Sequence, residues 1–507
     1  MTRKKKRKQS KKQSLDRPKR MSENGNRTTT PEEEEVVVEP LSPAARLFHA
    51  PRFNCCILAV IGCKTKINPH VVIEGLKHTL IKHPRFSSKL EDDGEKRGKK
   101  PRWVRTNVNV QDHVIVPEID LEGIQDTEQF TDHYVTNLTT VPLNTSKPLW
   151  EIHILNVKTS DAESIAVIRS HHSLGDGLSL MSLVLACTRK TSDPEALPTV
   201  PVMKRHQLFR SDRNLFIRSV LAVWLVMRLI LNTVVDVLLF LATTLFLKDT
   251  ETPLKGGADV GLNPKRFAHR IVPLDDIKLI KNAMKMTIND VLLGVTQAAL
   301  SRYLNRRYDN NNKEDEITRG NRNNLPRRIR LRATVLSLAD MMGKGSKFRW
   351  GNRIGYVILP FSITLRTNPL DHLSKAKATI DRKKLSLEAA LTYFSAKLVL
   401  NTLGVKVAAK IVHRALSNTT MSFSNIVGPV EEISFYGHPI SYFAPSVYGH
   451  PQALTVHFQS YANKMTISTA VDPKAISDPR KLCDDFEESL KAIKVAVLER
   501  GLLKDTS

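Results

Sequence analysis

Residues 165–177 read Ile-Ala-Val-Ile-Arg-Ser-His-His-Ser-Leu-Gly-Asp-Gly. An apolar strand runs into two adjacent histidines, then a Gly-Asp-Gly turn, then a helical pattern. Neighbouring side chains on a strand point to opposite faces, so His171 and His172 are expected to diverge. That divergence, with no third ligand at metal spacing, argues against a metal site. One imidazole then faces the inner side of the strand and the other faces a cleft. Asp176 stands four positions beyond His172, across a turn that Gly175 and Gly177 allow to fold tightly. There its carboxylate can hold the turn or bias the imidazole's tautomer. A histidine titrating near neutrality is a natural general base for a hydroxyl, contributing ~10²–10⁴ in rate. No Gly-x-Ser-x-Gly elbow accompanies it, so a serine-hydrolase triad is not indicated. A lone histidine reads first as a satisfied core residue; His-His-x-x-x-Asp-Gly at a strand end reads as a catalytic site.

The elements that must position this motif form two mixed α/β regions. In the first, about 41–205, strands are expected at 53–63, 148–157 and 164–170. Helices are expected over 70–82 and 178–190, with a charged loop at 91–102. Pro194, Pro198 and Pro201 mark a linker. The second region, 256–507, carries two helical patterns in 275–304 around Asn289-Asp290. A solvated Asn-rich insertion at 305–328 follows. Strand patterns lie at 329–338, 354–361, 419–427, 453–461 and 464–471, and helical patterns at 370–385, 389–417 and 478–500. Between the regions lies a greasy connector, 206–255. Its stretch 215–247 is long enough to cross a bilayer of ~30 Å but contains Arg218, Arg228, Asn232 and Asp236. At about 100° per residue these four fall within an arc of about 80°, one polar stripe on an otherwise apolar helix. Such a helix packs its stripe against protein while spanning, lies in the membrane interface, or is buried in a core.

Composition limits the partners. At ~150 residues per domain, 507 residues make about three domains or two large lobes. The 77 Lys+Arg against 51 Asp+Glu give a net charge of +26, which points to anionic partners: nucleic acid, acidic lipid or a phosphate-bearing substrate. A mean hydropathy of −0.25 excludes a polytopic membrane protein. Residues 1–20 hold eleven Lys or Arg and one acid, Asp16, with no apolar periodicity. Residues 1–40 are therefore read as a disordered basic, then acidic, tail. It serves as a targeting run, a polybasic patch for anionic lipid, or a solvated tail of no specific role. Five cysteines without zinc spacing or an even count fit buried residues in a reducing, cytosolic environment.

With these residues in view, the chain resembles the plant wax ester synthase/diacylglycerol acyltransferase family, within the wider superfamily sharing His-His-x-x-x-Asp-Gly. The resemblance runs from about Leu41 to the C-terminus. It also rests on Pro148-Leu149-Trp150-Glu151, Asn289-Asp290-Val291-Leu292, Trp350-Gly351-Asn352-Arg353-Ile354-Gly355, Ser424-Asn425-Ile426-Val427-Gly428-Pro429 and Ser460-Tyr461. It implies a two-lobed, condensation-domain-like α/β acyl-CoA-dependent acyltransferase with a hydrophobic helical connector. The implied reaction moves a fatty acyl group from CoA to a long-chain alcohol, giving a wax ester, or to diacylglycerol, giving triacylglycerol. His172 is then the general base, His171 a support, and Asp176 an orienting group. Gly177 shapes the turn, and Asn289 is a candidate for steadying the oxyanion or the site's backbone. Acyl-CoA is a substrate, and neither cofactor nor metal is expected.

The expected partners are acyl-CoA, a long-chain alcohol, diacylglycerol and an anionic cytosolic membrane face, rather than nucleic acid. The expected location is the endoplasmic reticulum membrane with both lobes cytosolic, and the plasma membrane second. A tunnel shared by both lobes requires both on one side of the membrane, so 215–247 is expected to lie in the interface or re-enter. One departure opens an alternative. An Asn-Leu-Arg-Pro-type segment associated with the plant pattern is absent where Leu336-Ser337-Leu338 runs into Ala339-Asp340-Met341-Met342. A catalytically impaired or non-catalytic lipid-binding homologue is the reading that follows from it. An acyltransferase for soluble acceptors is a third reading, but its Asp-Phe-Gly-Trp-Gly element is absent here.

Overall fold

The computed structural model describes residues 38–92, 101–200, 215–309, 323–337, 350–352 and 354–501. The basic run of residues 1–20 and the stretch Leu338 to Met342 lie outside the described residues. Up to Lys190 the chain forms strands β1 (Val38–Pro40), β2 (Cys56–Cys63), β3 (Ser88–Glu91), β4 (Arg102–Arg105), β5 (Val114–Ile115), β6 (Trp150–Leu155), β7 (Ser164–His171) and β8 (Thr188–Lys190). Among them run helices α1 (Pro43–Leu47), α2 (Pro69–His78), α3 (Thr127–Leu138) and α4 (Gly177–Ala186). Helix α5 (Leu215–Leu245) follows. Beyond it come β9 (Arg266–Pro273), α6 (Leu274–Ala283), α7 (Ile288–Asp309), β10 (Leu331–Ser337), β11 (Gly355–Phe361), α8 (Leu370–Lys384), α9 (Glu388–Thr402) and α10 (Gly404–Ser417). The chain closes with β12 (Met421–Val427), β13 (Ile433–Phe435), β14 (His438–Tyr448), β15 (Leu454–Tyr461), β16 (Lys464–Val471) and α11 (Pro479–Glu499).

Two mixed sheets organise these elements into a two-lobed α/β fold. The seven-stranded sheet has the order β5-β6-β7-β2-β14-β13-β8, and the six-stranded sheet the order β11-β10-β12-β15-β16-β9. The first lobe's sheet is thus completed by two strands from the far end of the chain. β14 pairs along the whole of β2, from Ile440↔Cys63 to Tyr448↔Cys56. Its two prolines speak against a central strand. They are tolerated because β13 pairs only with the first residues of β14, leaving Pro445 without a second ladder to supply. The six-stranded sheet turns Leu454, Val456 and Phe458 toward α7 and α11, which close an apolar core with α8. The alternate positions Thr455, His457 and Gln459 face the other way, in register with Ala470, Ser468 and Thr466 on β16. Ala470 on that face joins Val60 and Tyr442 of the first lobe in one apolar cluster, so this second face packs against the seven-stranded sheet.

Several local expectations differ from the structure. The charged stretch 91–102 ends in strand residues, with Glu91 opposite Arg102. The helix over 178–190 stops at Ala186, and 188–190 pair with β13. The helical run 389–417 is two helices, broken where Gly404 takes a φ of +83°, which a side chain disfavours. The Asn-rich stretch begins later than 305, since α7 continues to Asp309.

Among the described residues, Asn232, Thr233 and Asp236 bond the second half of helix α5 to the rest of the protein. Asn232 Nδ2 donates to Leu385 O at 3.0 Å, and Thr233 Oγ1 accepts from Leu387 N–H at 3.0 Å. Asp236 is fully buried and accepts from Arg382 (2.6 Å) and Lys383 (2.9 Å) in the last turn of α8. Arg228 lies over the Trp224 ring, 5.1 Å from its centroid, and Arg218 is exposed. The polar stripe is therefore divided, its C-terminal pair against protein and its N-terminal pair not. Beyond α5 the chain is locked by a buried ion pair, Arg332 Nε to Asp249 Oδ1 at 2.5 Å. Asp249 Oδ2 also accepts from Thr420 Oγ1 and from the Arg332 amide, both at 2.7 Å. Truncating one member of such a pair strands the other charge, at about 3–5 kcal/mol. Arg332→Ala should lower the denaturant midpoint by a corresponding amount; an unchanged midpoint would show that the pair is not what anchors α5.

Candidate active site

His171 ends β7, and its ring is fully engaged. Its Nδ1 accepts from the Ser173 backbone N–H (3.2 Å) and lies 2.7 Å from Ser173 Oγ. A backbone amide only donates, so Nδ1 carries the lone pair and Nε2–H donates to Asn54 Oδ1 at 2.9 Å. The ring also stacks on His49, centroids 4.0 Å apart. Burial drives its pKa well below the ordinary value, so it stays neutral with both nitrogens occupied.

His172 has the opposite tautomer. Asn352 Nδ2 donates to the carbonyls of His172 (2.8 Å) and Ser173 (3.4 Å), which turns Asn352 Oδ1 toward His172 Nδ1, 3.1 Å away. An amide oxygen only accepts, so Nδ1 carries the proton and Nε2 is left as the basic nitrogen. Phe48 stacks on the ring with centroids 4.2 Å apart. Burial lowers the His172 pKa from 6.5, against the opposing pull of the Asp176 carboxylate and of Asn352. The expectation of a base titrating near neutrality is thus displaced toward acid, because the ring is buried rather than open to a solvated cleft.

The turn after His172 is clamped from the second lobe. Trp350 Nε1 donates to Leu174 O at 2.7 Å, and Ser179 Oγ exchanges hydrogen bonds with Gly351 N and O. Asp176 caps α4, its Oδ1 accepting from Ser179 N–H at 2.9 Å. Neither Gly175 nor Gly177 takes a left-handed φ. Their need is for space: a Cβ on Gly175 would sit 3.1 Å from Trp350 Cζ2, and one on Gly177 would sit 3.1 Å from Ile426 Cδ1. Ile426 is on β12, next to Asn425, whose Nδ2 donates to Asn289 Oδ1 at 2.7 Å. Asn289 thus ties α7 to β12 beside the motif and does not bond either histidine. Its neighbour Asp290 forms a reciprocal box with Thr287 at the start of α7: Thr287 Oγ1 accepts from Asp290 N–H at 3.3 Å and Asp290 Oδ2 accepts from Thr287 N–H at 2.6 Å.

Three other residues stand in this site that the sequence alone did not mark. Asn352 lay within a stretch noted only for resemblance. His457 and Gln459 lie on the polar side of β15 and His450 and Gln452 in the turn before it, both rings neutral because burial pulls their pKa values to about 3 (His450) and about 4 (His457). His450 Nε2 reaches Thr455 Oγ1 at 2.9 Å, while His457 Nδ1 is buried without a partner. Trp150 is a core anchor, its Nε1 donating to Phe86 O at 2.9 Å. Glu151 beside it holds Arg169 at 2.7 Å, bracing β6 against β7.

Two domain models match the sequence: the wax ester synthase/diacylglycerol acyltransferase catalytic domain over residues 55–292 and the WS/DGAT C-terminal domain over residues 350–494. Wax ester synthase/diacylglycerol acyltransferase 5 of Arabidopsis thaliana is 60% identical over 482 residues, covering 91% of this chain and 94% of its own. The Arabidopsis protein numbered 6 is 58% identical over 488 residues, with 91% and 94% covered. The solved wax ester synthase/diacylglycerol acyltransferase from Marinobacter aquaeolei VT8 superposes with a TM-score of 0.55 at 16% identity, covering 90% of this chain and 99% of that one. A starter condensation domain of rhizomide synthetase, in complex with C8-CoA and Leu-SNAC, gives 0.50 at 12% identity, covering 91% and 94%. The last two are likenesses of fold, and they match the two-lobed, condensation-domain-like architecture. From its domain matches and from relatives that cover nine-tenths of it, the chain belongs to the wax ester synthase/diacylglycerol acyltransferase family and is an acyltransferase.

Proposed function

We propose that the protein transfers a fatty acyl group from acyl-CoA to the hydroxyl of a long-chain alcohol or of diacylglycerol, with His172 as general base. The observation that carries this reading is the fixed tautomer of His172, neutral and with its lone pair on Nε2. Nε2 takes the hydroxyl proton as the acceptor oxygen attacks the thioester carbonyl. The tetrahedral adduct then collapses, the C–S bond breaks, and the imidazolium returns the proton to the departing thiolate. No acyl-enzyme is required. Asn352 sets the tautomer, His171 holds the strand end, and Asp176 caps the following helix while its charge favours the imidazolium as it forms. The relatives' names support both acceptor classes. A solved neighbour of this fold in complex with C8-CoA supports the acyl donor. We propose the cytosolic face of the endoplasmic reticulum as the site at which it meets these lipid acceptors.

Purified protein with labelled acyl-CoA and hexadecanol or diacylglycerol tests the reading. Wild type should form ester, and His172→Ala should form it ~10²–10⁴-fold more slowly; equal traces from both would end the proposal. The pH profile tests the base itself. Because burial lowers the His172 pKa, the acid limb of kcat/KM should lie below pH 6.5. Asp176→Asn keeps the helix cap but removes a charge that favours the protonated ring, so the limb should move lower still. Asn352→Leu should reduce kcat by on the order of 10²-fold through loss of the Nδ1–H tautomer. A limb unmoved by Asp176→Asn would remove that carboxylate from the chemistry.

A further inference from the structure

The N-terminal half of α5, residues 216–231, has no buried residue, yet apart from Arg218, Ser219 and Arg228 it is apolar all round. In its second half, Val234, Leu238, Leu241 and Leu245 form an exposed row at helical spacing. α9 and α10 continue this surface. Leu391, Phe394 and Leu398 line one side of α9, and Leu403 and Val407 are exposed where α10 begins. So much contiguous apolar surface marks a binding face.

Charge says what covers it. The acids of these three helices, among the described residues, are Asp236 and Glu388, both buried and both held by Lys383. The exposed charges are cations only: Arg218 and Arg228 on α5, Lys397 on α9, and Lys406, Lys410 and Arg414 at four-residue spacing on α10. Greasy helices rimmed by cations and free of exposed acids suit an anionic bilayer and would repel a second copy of themselves. The helix does not cross that bilayer once. β2 and β7 precede α5 and β14 follows it in the same sheet, so a single crossing would divide one sheet across a membrane.

The platform also leads inward. Phe240 of α5, Leu400 of α9 and Val412 of α10 pack with Tyr356 and Phe48 in one apolar cluster, and Phe48 lies on the His172 ring. We propose that α5, α9 and α10 form a docking face for an anionic leaflet, and that the acceptor lipid passes from the leaflet through the cluster beneath them to His172. The inference rests on the acyl-transfer reading above and adds the side from which the acceptor arrives.

The test compares acceptors that differ in where they reside. Phe394→Asp with Leu398→Asp places two charges on the exposed ridge of α9, at side chains 58% and 63% exposed. Wild type should co-sediment with vesicles containing phosphatidylserine and more weakly with pure phosphatidylcholine. The double variant should lose about tenfold in vesicle binding and in esterification of hexadecanol carried by those vesicles. Its esterification of hexanol in solution should be kept, which also reports that it folds. Both acceptors falling together, neither falling, or loss of self-association in place of vesicle binding would each overturn the docking face. A wild type that esterifies neither alcohol would instead sink the acyl-transfer reading.

Discussion

A buried imidazole can act as a base only if its lone pair faces the substrate, and here one amide decides which nitrogen that is. Asn352 donates to two carbonyls of the motif turn and so presents its oxygen to His172 Nδ1. Because Asn352 belongs to the second lobe and His172 to the first, the His172 tautomer is set only while the lobes are together. The neighbouring contacts serve the same end. Trp350 and Gly351 hold the turn, Ser179 meets them from α4, and the lack of Cβ atoms at Gly175 and Gly177 lets Trp350 and Ile426 come close. The motif reads as local in sequence, but its working geometry belongs to the contact between lobes.

The two adjacent histidines show how position sorts identical chemistry. His171 spends both nitrogens on Ser173 and Asn54, whereas His172 is fixed at one nitrogen only. Burial lowers both pKa values, so neither competes for protons at neutral pH, and the difference between them is one of direction rather than basicity. The same low-dielectric setting keeps His457 of β15 and His450 in the turn before it neutral. Uncharged imidazoles and amides around His172 can offer hydrogen bonds without adding a competing charge.

Much of this was legible from residue types. The strands around 148–171 and 453–471, the long apolar helix and the His-His-x-x-x-Asp-Gly turn follow from local pattern, since alternation and helical spacing are properties of short windows. β14 was not legible, because His438-Pro-Ile-Ser-Tyr-Phe-Ala-Pro-Ser carries two prolines and its partner, β2, lies almost 400 positions earlier. The role of Asn352 was hidden for the same reason: an asparagine after Trp-Gly looks like any turn until the distant motif is folded against it. The stripe on α5 was half visible. Periodicity groups Arg218, Arg228, Asn232 and Asp236, but only the structure shows that the helix leaves its support partway along.

The shared strand also governs how the molecule comes into being. β2 and β7 emerge early from the ribosome, and the edge of β2 stays open until residues 438–448 arrive. Throughout that interval an unpaired, hydrophobic strand edge is exposed, the state in which chains join to one another instead of to themselves. Closing it demands a loop of roughly three quarters of the polypeptide, so assembly is slow by topology rather than by any weakness of the final contacts. The greasy α5, made midway, would meanwhile give the unfinished chain somewhere to wait.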